Sequence, residues 1–406
     1  MTRKKDEIIH TNNLPGEKAD QYRTPVSHFD FAVINDLMFE TYLLAQFDKD
    51  EDGKLSYEEA LDVTEIDVDN MDFSDLGGLE YFPNLRKLSC AYNNLRSLDV
   101  SHNRALEELD CSDNHLTNLD ISQNTGLKVL DCGHNELTRL DVSHNRALEE
   151  LDCSENHLTN LDISQNMGLT TLSCEWNCLK DLDVRRNTTL KVLSCGSNRL
   201  NNLEVNHITV LEELDCEDNA LTSIDVSNNC ALEILYCSGN RLTSLDISQN
   251  TGLTTLNCGW NCLKDLDVSH NRALDLLDCS DNQLAKLDVS CNTALTELRC
   301  SNNQLTKLDV RKNRVLMILS CVSNQLTELD VCGNTALQEL NCRFNALMCL
   351  DVSRNMALTD LFCDNNELTG LDVSHNTELT DLKCDDHAPD FKLIEPENPR
   401  YNKNNS

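Results

Sequence analysis

Cysteine recurs along this chain at a fixed spacing, and this spacing constrains the fold more than any other feature. Of the 21 cysteines in 406 residues, fifteen follow one another at a step of 21 residues without a single insertion. The fifteen form a column at Cys90, Cys111, Cys132, Cys153, Cys174, Cys195, Cys216, Cys237, Cys258, Cys279, Cys300, Cys321, Cys342, Cys363 and Cys384. A fixed period of this length is typical of a solenoid, in which each repeat stacks on the next. The odd total also argues against a closed set of disulfides.

Each repeat consists of two similar halves. The repeat from Leu106 to Gly126 reads LEELDCSDNHLTNLDISQNTG, which gives the half-patterns LxxLxCxxN and LxxLxVxxN. Apolar and polar residues alternate in each half, which predicts an extended segment. Each half closes at Asn, which favours a tight turn. The sequence therefore predicts a β-rich solenoid of about 15 units, with two short extended segments per unit.

One repeat is too small to fold alone. About six inward apolar side chains contribute roughly 9–18 kcal/mol of gross burial free energy. Ordering the backbone of one repeat costs about 20–30 kcal/mol. Neighbouring repeats must therefore share their core and their hydrogen bonds, as expected for a stacked array.

This pattern resembles the leucine-rich repeat family. More narrowly, it is similar to the bacterial 21-residue subclass called IRREKO, whose consensus allows Cys at the sixth position. The resemblance extends from about Val63 to Cys384, and the segment LGGLEYFPNL from Leu76 to Leu85 resembles the lead-in of internalin-like proteins. The resemblance implies a solenoid that presents a protein-recognition surface.

Several other columns run along the repeats. Because each column Cys is equivalent to Val or Ile in the second half, we expect buried thiols that fill the core rather than metal ligands. Two Asn columns begin at Asn93 and Asn103, and we expect them to satisfy backbone groups in the turns. The second is interrupted at Ile208, where we expect a kink or a shifted turn. An acidic column begins at Asp99; hydrogen bonding within the turns is the favoured explanation, and weak calcium adsorption is the alternative.

The outward positions of the repeats can determine which partner is bound, because they vary from repeat to repeat while the inward positions stay the same. Exposed aromatic side chains are typical binding anchors. The candidates are Tyr92, Trp176, Tyr236, Trp260, Phe344 and Phe362. Trp176 and Trp260 lie 84 residues apart, hence in one column, although their repeats are near copies and duplication alone can explain the pair.

A different motif precedes the repeats. The segment DKDEDGKLSYEE from Asp48 to Glu59 matches the EF-hand loop D-x-D-x-D-G-x5-E at every position. Gly53 makes the sharp turn, and oxygen ligands for Ca²⁺ are expected from Asp48, Asp50, Asp52, the carbonyl of Lys54, Ser56 and both oxygens of Glu59. The alternative is an acidic loop without an ion. The loop occurs once, whereas calcium sensors usually pair two.

These features divide the chain into five segments. Residues 1–25 are polar and are expected to be disordered. Residues 26–62 contain a helix, predicted by apolar spacing between Phe29 and Phe47, and the EF-hand-like loop. Residues 63–84 are the N-terminal cap and 85–387 the solenoid. In the tail, residues 388–406, we expect Phe391, Leu393 and Ile394 to cover the last repeat.

The amino-acid composition and the motifs that the sequence lacks exclude several classes of function. The 69 acidic and 34 basic residues give a net charge of −35, which disfavours nucleic acid and anionic lipid as partners. No apolar run is long enough to insert into a membrane. The sequence contains no nucleophile elbow, HExxH motif or phosphate loop, so we do not expect an enzyme.

We therefore expect a monomeric, non-catalytic protein-binding scaffold whose N-terminal cap binds one calcium ion. Its partner would be basic or would offer pockets for aromatic side chains. The alternative is a calcium-responsive regulator, in which ion binding controls partner access. The lack of a signal peptide favours the cytoplasm, whereas the family resemblance implies the cell surface or secretion.

Overall fold

A parallel sheet with one strand from each repeat dominates the molecule. The computed structural model describes residues 37–384, 391–397 and 399–401. Within them, a 16-stranded sheet runs in the order β1 to β15 and then β17, and β16 pairs with β18. The predictions for residues 1–25, and for the helix before Leu37, lie outside the described residues.

Each strand has three residues. The strands are β1 Glu65–Asp67, β2 Lys87–Ser89, β3 Glu108–Asp110, β4 Val129–Asp131, β5 Glu150–Asp152, β6 Thr171–Ser173, β7 Val192–Ser194, β8 Glu213–Asp215, β9 Ile234–Tyr236, β10 Thr255–Asn257, β11 Leu276–Asp278, β12 Glu297–Arg299, β13 Ile318–Ser320, β14 Glu339–Asn341, β15 Asp360–Phe362, β16 Gly370–Asp372, β17 Asp381–Lys383 and β18 Lys392–Ile394. The helices are α1 Leu37–Phe47 and α2 Tyr57–Leu61, with a short 3-10 helix at Leu79–Tyr81.

The 21-residue period sets the strand register. Leu109 of β3 pairs with Leu130 of β4, and the same offset recurs from rung to rung, where a rung is one 21-residue repeat. The central Leu of nearly every strand is buried, while its two neighbours are half-buried or exposed. The predicted solenoid is therefore confirmed, and the first half of each repeat is its strand.

The second half of each repeat departs from the expected strand. Among the described residues it forms a regular strand only at β16, although Asp99 makes an isolated bridge to Asp120. Between rungs, Leu95 N donates to Asn114 Oδ1 at 2.9 Å, so a side-chain amide takes the place of a backbone acceptor at the start of this segment. In the turn that follows, Ser101 N donates to Asp99 Oδ1 at 2.9 Å.

The cysteine column lies in the core. All fifteen members are free thiols, and all but the half-buried Cys384 are buried. Cys90 N and Cys90 Sγ both donate to Asp110 O on the next rung, at 2.8 and 3.3 Å. Burial raises the pKa of the Cys111 thiol well above its ordinary value. The thiols thus act as small apolar core residues that add a weak hydrogen bond between rungs.

The two Asn columns connect the rungs, as predicted. Asn114 Nδ2 donates to Cys90 O at 2.9 Å, and its Oδ1 accepts from Leu95 N at 2.9 Å. Asn124 of the second column donates to Asn103 O at 2.8 Å. Both amides therefore satisfy backbone groups of the preceding rung, and both are buried.

The expected kink at Ile208 does not occur. Ile208 N donates to Val205 O at 2.9 Å and Leu211 N donates to Ile208 O at 3.2 Å, which is the turn that Asn forms elsewhere. Ile208 is buried. His207 Nε2 contacts Val184 O at 3.1 Å, the carbonyl that an Asn at this position would have bound. The imidazole of the neighbouring residue thus replaces the missing amide.

The helix α1 buries one side, and the first two residues of its described range are exposed. Leu37 and Met38 are exposed, whereas Phe39 and Leu43 are fully buried and Phe47 packs against the core. The buried residues recur every four positions, so they lie on one side of the helix. This side covers the first rung of the sheet.

The C-terminal tail supplies a cap, with one correction. β18 pairs with β16, and Phe391 and Leu393 pack against the core, as predicted. Ile394 is 54% exposed because alternate residues of a strand point to opposite sides, so its predicted covering role is wrong. Tyr401 is buried at this end instead.

We predict that His207→Ala lowers the free energy of unfolding by about 1 kcal/mol, because Val184 O loses its bond to the imidazole and keeps the one from Asn187 N. In an Ile208→Asn background the same substitution should cost much less, since the restored amide binds that carbonyl. Urea unfolding of the two single variants and the double variant measures both effects. An equal cost of His207→Ala in the two backgrounds would contradict the replacement.

Candidate functional site

The acidic loop between α1 and α2 brings three carboxylates together. One oxygen from each of Asp48, Asp50 and Asp52 lies within 4.8 Å of the others. Gly53, with a φ of 81°, donates its N–H to Asp48 Oδ2 at 2.9 Å. The other oxygen, Asp48 Oδ1, is buried without a hydrogen-bond partner. Such an orphaned oxygen is costly, and a hard cation bound by carboxylates satisfies it, so the loop fits Ca²⁺.

The rest of the predicted ligand set closes the loop through protein hydrogen bonds. Lys54 N donates to Asp52 Oδ1 at 2.9 Å. Ser56 caps α2, and its N–H and hydroxyl donate to Glu59 Oε2 at 2.8 and 2.7 Å. Lys49 N donates to Glu59 Oε1 at 2.7 Å. Burial raises the pKa of Glu59, but the hydrogen bonds from Ser56, Lys49 and Asp50 outweigh it and hold the pKa below its usual range.

The loop is tied to the solenoid by aromatic packing. Phe39 of α1 meets Phe73 edge-on at a ring-centroid distance of 5.6 Å, and Phe47 lies 6.0 Å from Phe82. Leu55, inside the loop, is fully buried in the same core. The packing therefore couples the order of the loop to the cap over the first rung.

The six predicted partner-binding aromatics lie on two surfaces. Four lie two residues after a column Cys, in what we name the corner column. Its members are Tyr92, Asp113, His134, Glu155, Trp176, Ser197, Asp218, Gly239, Trp260, Asp281, Asn302, Ser323, Phe344 and Asn365. Tyr236 and Phe362 end β9 and β15 on the outward side of the sheet, which we name the strand face. The strand face comprises the two residues that flank the central Leu of each strand.

The corner column has an unusual backbone. Every member has a positive φ, between 47° and 63°. Asn, Asp and Gly tolerate this left-handed conformation, whereas bulky residues are disfavoured there. Tyr92, Trp176, Trp260 and Phe344 are nevertheless between 49% and 68% exposed, so burial gives little compensation. The backbone does not explain why these residues are aromatic.

Cations already lie over aromatic rings on both surfaces. The guanidinium carbon of Arg343 is 5.5 Å from the ring centroid of Phe344. On the strand face, Lys383 Nζ is 5.6 Å from the ring centroid of Phe362. Both distances suit a cation–π interaction.

The strand face also concentrates carboxylates that the sequence analysis did not single out. Asp110, Asp131 and Asp152 end three adjacent strands and pair in register. Burial, followed by the like charges of Asp152 and Asp110, raises the pKa of Asp131 to about 6. Burial also raises the pKa of Asp215 farther along the strand face, and that of Glu217, which follows the column residue Cys216. The run of Asp at adjacent rungs was the available sequence signal.

The acidic column of the second half behaves differently. Hydrogen bonds from Ser101 lower the pKa of Asp99, and bonds from Ser143 lower that of Asp141. The Arg185 side chain holds the pKa of Asp183 well below its usual range. These carboxylates accept hydrogen bonds within the turns, which was the favoured explanation for the acidic column.

Three comparisons place the chain among known proteins. No family model matches it. Internalin J of Listeria monocytogenes is 38% identical over 65 residues, which is 16% of this chain and 7% of that protein. The solved functional domain of InlJ from L. monocytogenes, described as including a cysteine ladder, is 39% identical, with 82% of this chain and 69% of that domain covered and a TM-score of 0.71.

The chain belongs to the internalin-like leucine-rich repeat proteins. A leucine-rich repeat protein of Leptospira interrogans is 27% identical, with 83% of this chain and 92% of that protein covered and a TM-score of 0.73. The Arabidopsis receptor kinase HAESA, solved with the peptide hormone IDA and the co-receptor SERK1, shares only the fold, at 20% identity and a TM-score of 0.65; the match covers 79% of this chain and 60% of that one. Solenoids of this fold thus bind peptide and protein partners. Within the described part of this internalin-like chain, no helix has the length and apolar character that a membrane span needs.

We predict that Asp131→Asn makes the protein more stable at pH 8 by about 1 kcal/mol, a value already reduced for the solvent screening of a half-buried group. Because the folded pKa lies above the unfolded one, the wild type loses stability as the pH rises from about 4 to about 6. The gain should therefore vanish at pH 4. Urea unfolding midpoints at pH 8 and pH 4 test this, with Asp141→Asn, which should not stabilise, as the control.

Proposed function

We propose that this chain is a non-catalytic protein-binding scaffold whose strand face takes a basic partner. The observation that carries the proposal is the crowding of Asp110, Asp131 and Asp152 on adjacent strands. Like charges at this spacing repel one another, and burial together with this repulsion raises the pKa of Asp131. A cationic partner would relieve the repulsion, which persists although Ser112 N, Gly133 N and Ser154 N each donate to one of these carboxylates.

Aromatic side chains on the strand face and in the corner column supply the apolar contacts that an interface needs. Tyr236 and Phe362 lie on the strand face, and Tyr92, Trp176, Trp260 and Phe344 lie at the adjoining corner. Aromatic residues are enriched among the side chains that dominate binding energy. A net charge of −35 steers a basic partner toward this surface.

The peptide complex of HAESA supports the same use of the fold. In that protein a solenoid with similar architecture holds a peptide hormone and a co-receptor. The likeness to this chain is one of fold, so it supports the class of function and not the identity of the partner. Stacked repeats provide an extended surface of fixed geometry, which suits recognition of another protein.

We predict that Asp110→Asn/Asp131→Asn/Asp152→Asn lowers recovery of protein partners in a pull-down at least about fivefold, because each exposed charge pair contributes up to about 1 kcal/mol. The matched control is Asp120→Asn/Asp141→Asn/Asp162→Asn, which removes the same charge from the same three rungs in the second half. An equal loss of partner recovery in both variants would show that the effect depends on net charge and not on the strand face. No loss in either would remove the strand face from the proposed function.

The N-terminal loop adds a second part to the proposal, namely that one Ca²⁺ braces the cap. Asp48, Asp50 and Asp52 would hold the ion, with the Lys54 carbonyl, Ser56 and Glu59 completing the set. The orphaned Asp48 Oδ1 and the buried Leu55 support this proposal, because they link an ion ligand directly to the cap core. The bound ion would supply positive charge that neutralises three neighbouring carboxylates.

We predict that calcium raises the thermal midpoint of the wild type more than that of Asp50→Asn/Asp52→Asn, because each Asn keeps an oxygen ligand but removes its negative charge. The amide oxygen of Asn can still accept the loop hydrogen bonds from Asp52 N and Lys54 N, so the variant should match the wild type in chelator. At a calcium concentration of 100 times Kd the gain is about 2.7 kcal/mol. Asp99→Asn/Asp120→Asn, which changes two turn acceptors of the solenoid, serves as the control.

An equal midpoint with calcium and with chelator in the wild type would contradict the ion brace. The same titration addresses the regulatory alternative when partner affinity is measured beside stability. A brace changes the midpoint alone, whereas a regulator also changes the affinity for the partner.

A further inference from the structure

The aromatic residues of the corner column recur at a second, longer period. Tyr92, Trp176, Trp260 and Phe344 are separated by 84 residues each, so one aromatic stands on every fourth rung. Their backbone N–H groups make the same bond, to the carbonyl one residue after the next column Cys. With rungs about 4.8 Å apart, the four rings are spaced about 19 Å from one another along the solenoid axis.

Neither the fold nor copying of repeats requires this pattern. The ten other members of the corner column, among them Asp113 and Ser197, adopt the same left-handed backbone without an aromatic ring. The repeats that contain Trp176 and Trp260 are near copies, but those of Tyr92 and Phe344 read LRKLSCAYN and LQELNCRFN and share little beyond the frame. The aromatics are exposed, so they add little to the core.

Each of the first three rings has a carboxylate on a neighbouring rung of the same column. Asp113 follows Tyr92, Glu155 precedes Trp176, and Asp281 follows Trp260. Beside Phe344 the pattern changes, since Arg343 of the chain itself lies over the ring. The chain thus shows in one place that a ring of this column accepts a guanidinium.

We propose that the corner column binds an extended basic segment of a partner protein that runs along the solenoid axis, with Arg or Lys side chains over rings four rungs apart. The inference rests on the proposed function and names the chemistry of its partner. An aromatic ring beside a carboxylate attracts a cation more strongly than either group alone. An elongated chain with evenly spaced basic residues can engage several rings at once, and each further contact is then intramolecular.

The spacing sets a rule for the ligand. An extended polyproline-type chain rises about 3.1 Å per residue with three residues per turn. Residues six apart therefore lie about 19 Å apart on one side of the chain, which matches the spacing of the rings. A spacing of five residues reaches only about 16 Å and turns the next basic side chain away.

Two synthetic peptides with the same composition test this rule on the full chain. The in-register peptide has four arginines separated by five prolines each, and the off-register peptide has the same four arginines separated by four prolines, with the remaining prolines at its ends. We expect the in-register peptide to bind at least about fivefold tighter in calorimetry at low salt, since several rings are engaged together. Equal affinity for the two peptides would overturn the inference.

The variant Trp176→Asn/Trp260→Asn should reduce binding of the in-register peptide to the level of the off-register one. Asn suits the left-handed backbone, so the variant should keep the fold. The control Met167→Asn/Met356→Asn removes two equally exposed apolar side chains from another turn of the repeat and should leave binding unchanged. If the tryptophan variant binds the in-register peptide as tightly as the wild type does, the rings of Trp176 and Trp260 are not part of the binding site.

Aromatic rings also stack on sugars, so cellohexaose is a third probe. Binding of cellohexaose that is lost with the two tryptophans, without peptide binding, would overturn the basic segment as ligand. If peptide spacing has no effect while neutralising Asp110, Asp131 and Asp152 still abolishes partner recovery, the proposed function stands and this inference fails.

Discussion

Buried asparagine amides that donate to the preceding rung determine the rest of this structure. Asn114 Nδ2 donates to Cys111 O and Ser112 O of its own turn, at 3.2 and 2.9 Å, and reaches back to Cys90 O at 2.9 Å. Both carbonyls of the turn point toward one amide, and the intervening backbone passes through the left-handed conformation at Asp113. The same amides that join the rungs therefore create the exposed corner column.

In the second Asn column, these buried amides leave oxygen atoms without hydrogen-bond partners. The amide nitrogen of Asn124 is satisfied, but its Oδ1 is buried without a partner, and other members of the column repeat this state. A buried unpaired acceptor is unfavourable. At Asn103 and Asn145, each amide offsets this cost by donating two hydrogen bonds to carbonyls of the preceding rung. Where Ile208 interrupts the column, the His207 imidazole makes one of these hydrogen bonds instead.

Much of the fold followed from the sequence because each inward position recurs on every rung. The sequence predicted the buried thiol of Cys90, the hydrogen bonds of Asn114 and the turn role of Asp99. These predictions succeeded because each residue type recurs at the same position of the repeat. The second-half strand failed because alternation cannot show that Leu95 N donates to the side chain of Asn114 on the next rung.

The candidate sites were predictable only in part. The loop from Asp48 to Glu59 was recognisable because calcium ligands follow a fixed local spacing. The aromatic residues were visible, but their division between the strand face and the corner depends on the turn geometry. Asp131 was missed because its raised pKa arises from burial and from carboxylates 21 residues away, which no local window brings together.

Hydrogen exchange of the variant Asn187→Ala tests the coupling between rungs most directly. Asn187 Nδ2 donates to Ile163 O and Asn166 O of the preceding rung, at 3.2 and 2.8 Å. The account predicts that amides in residues 148–168 and in residues 169–189 both exchange about tenfold faster than in the wild type, the equivalent of about 1.4 kcal/mol. Faster exchange confined to residues 169–189 would show that rungs are stable on their own and would contradict the account.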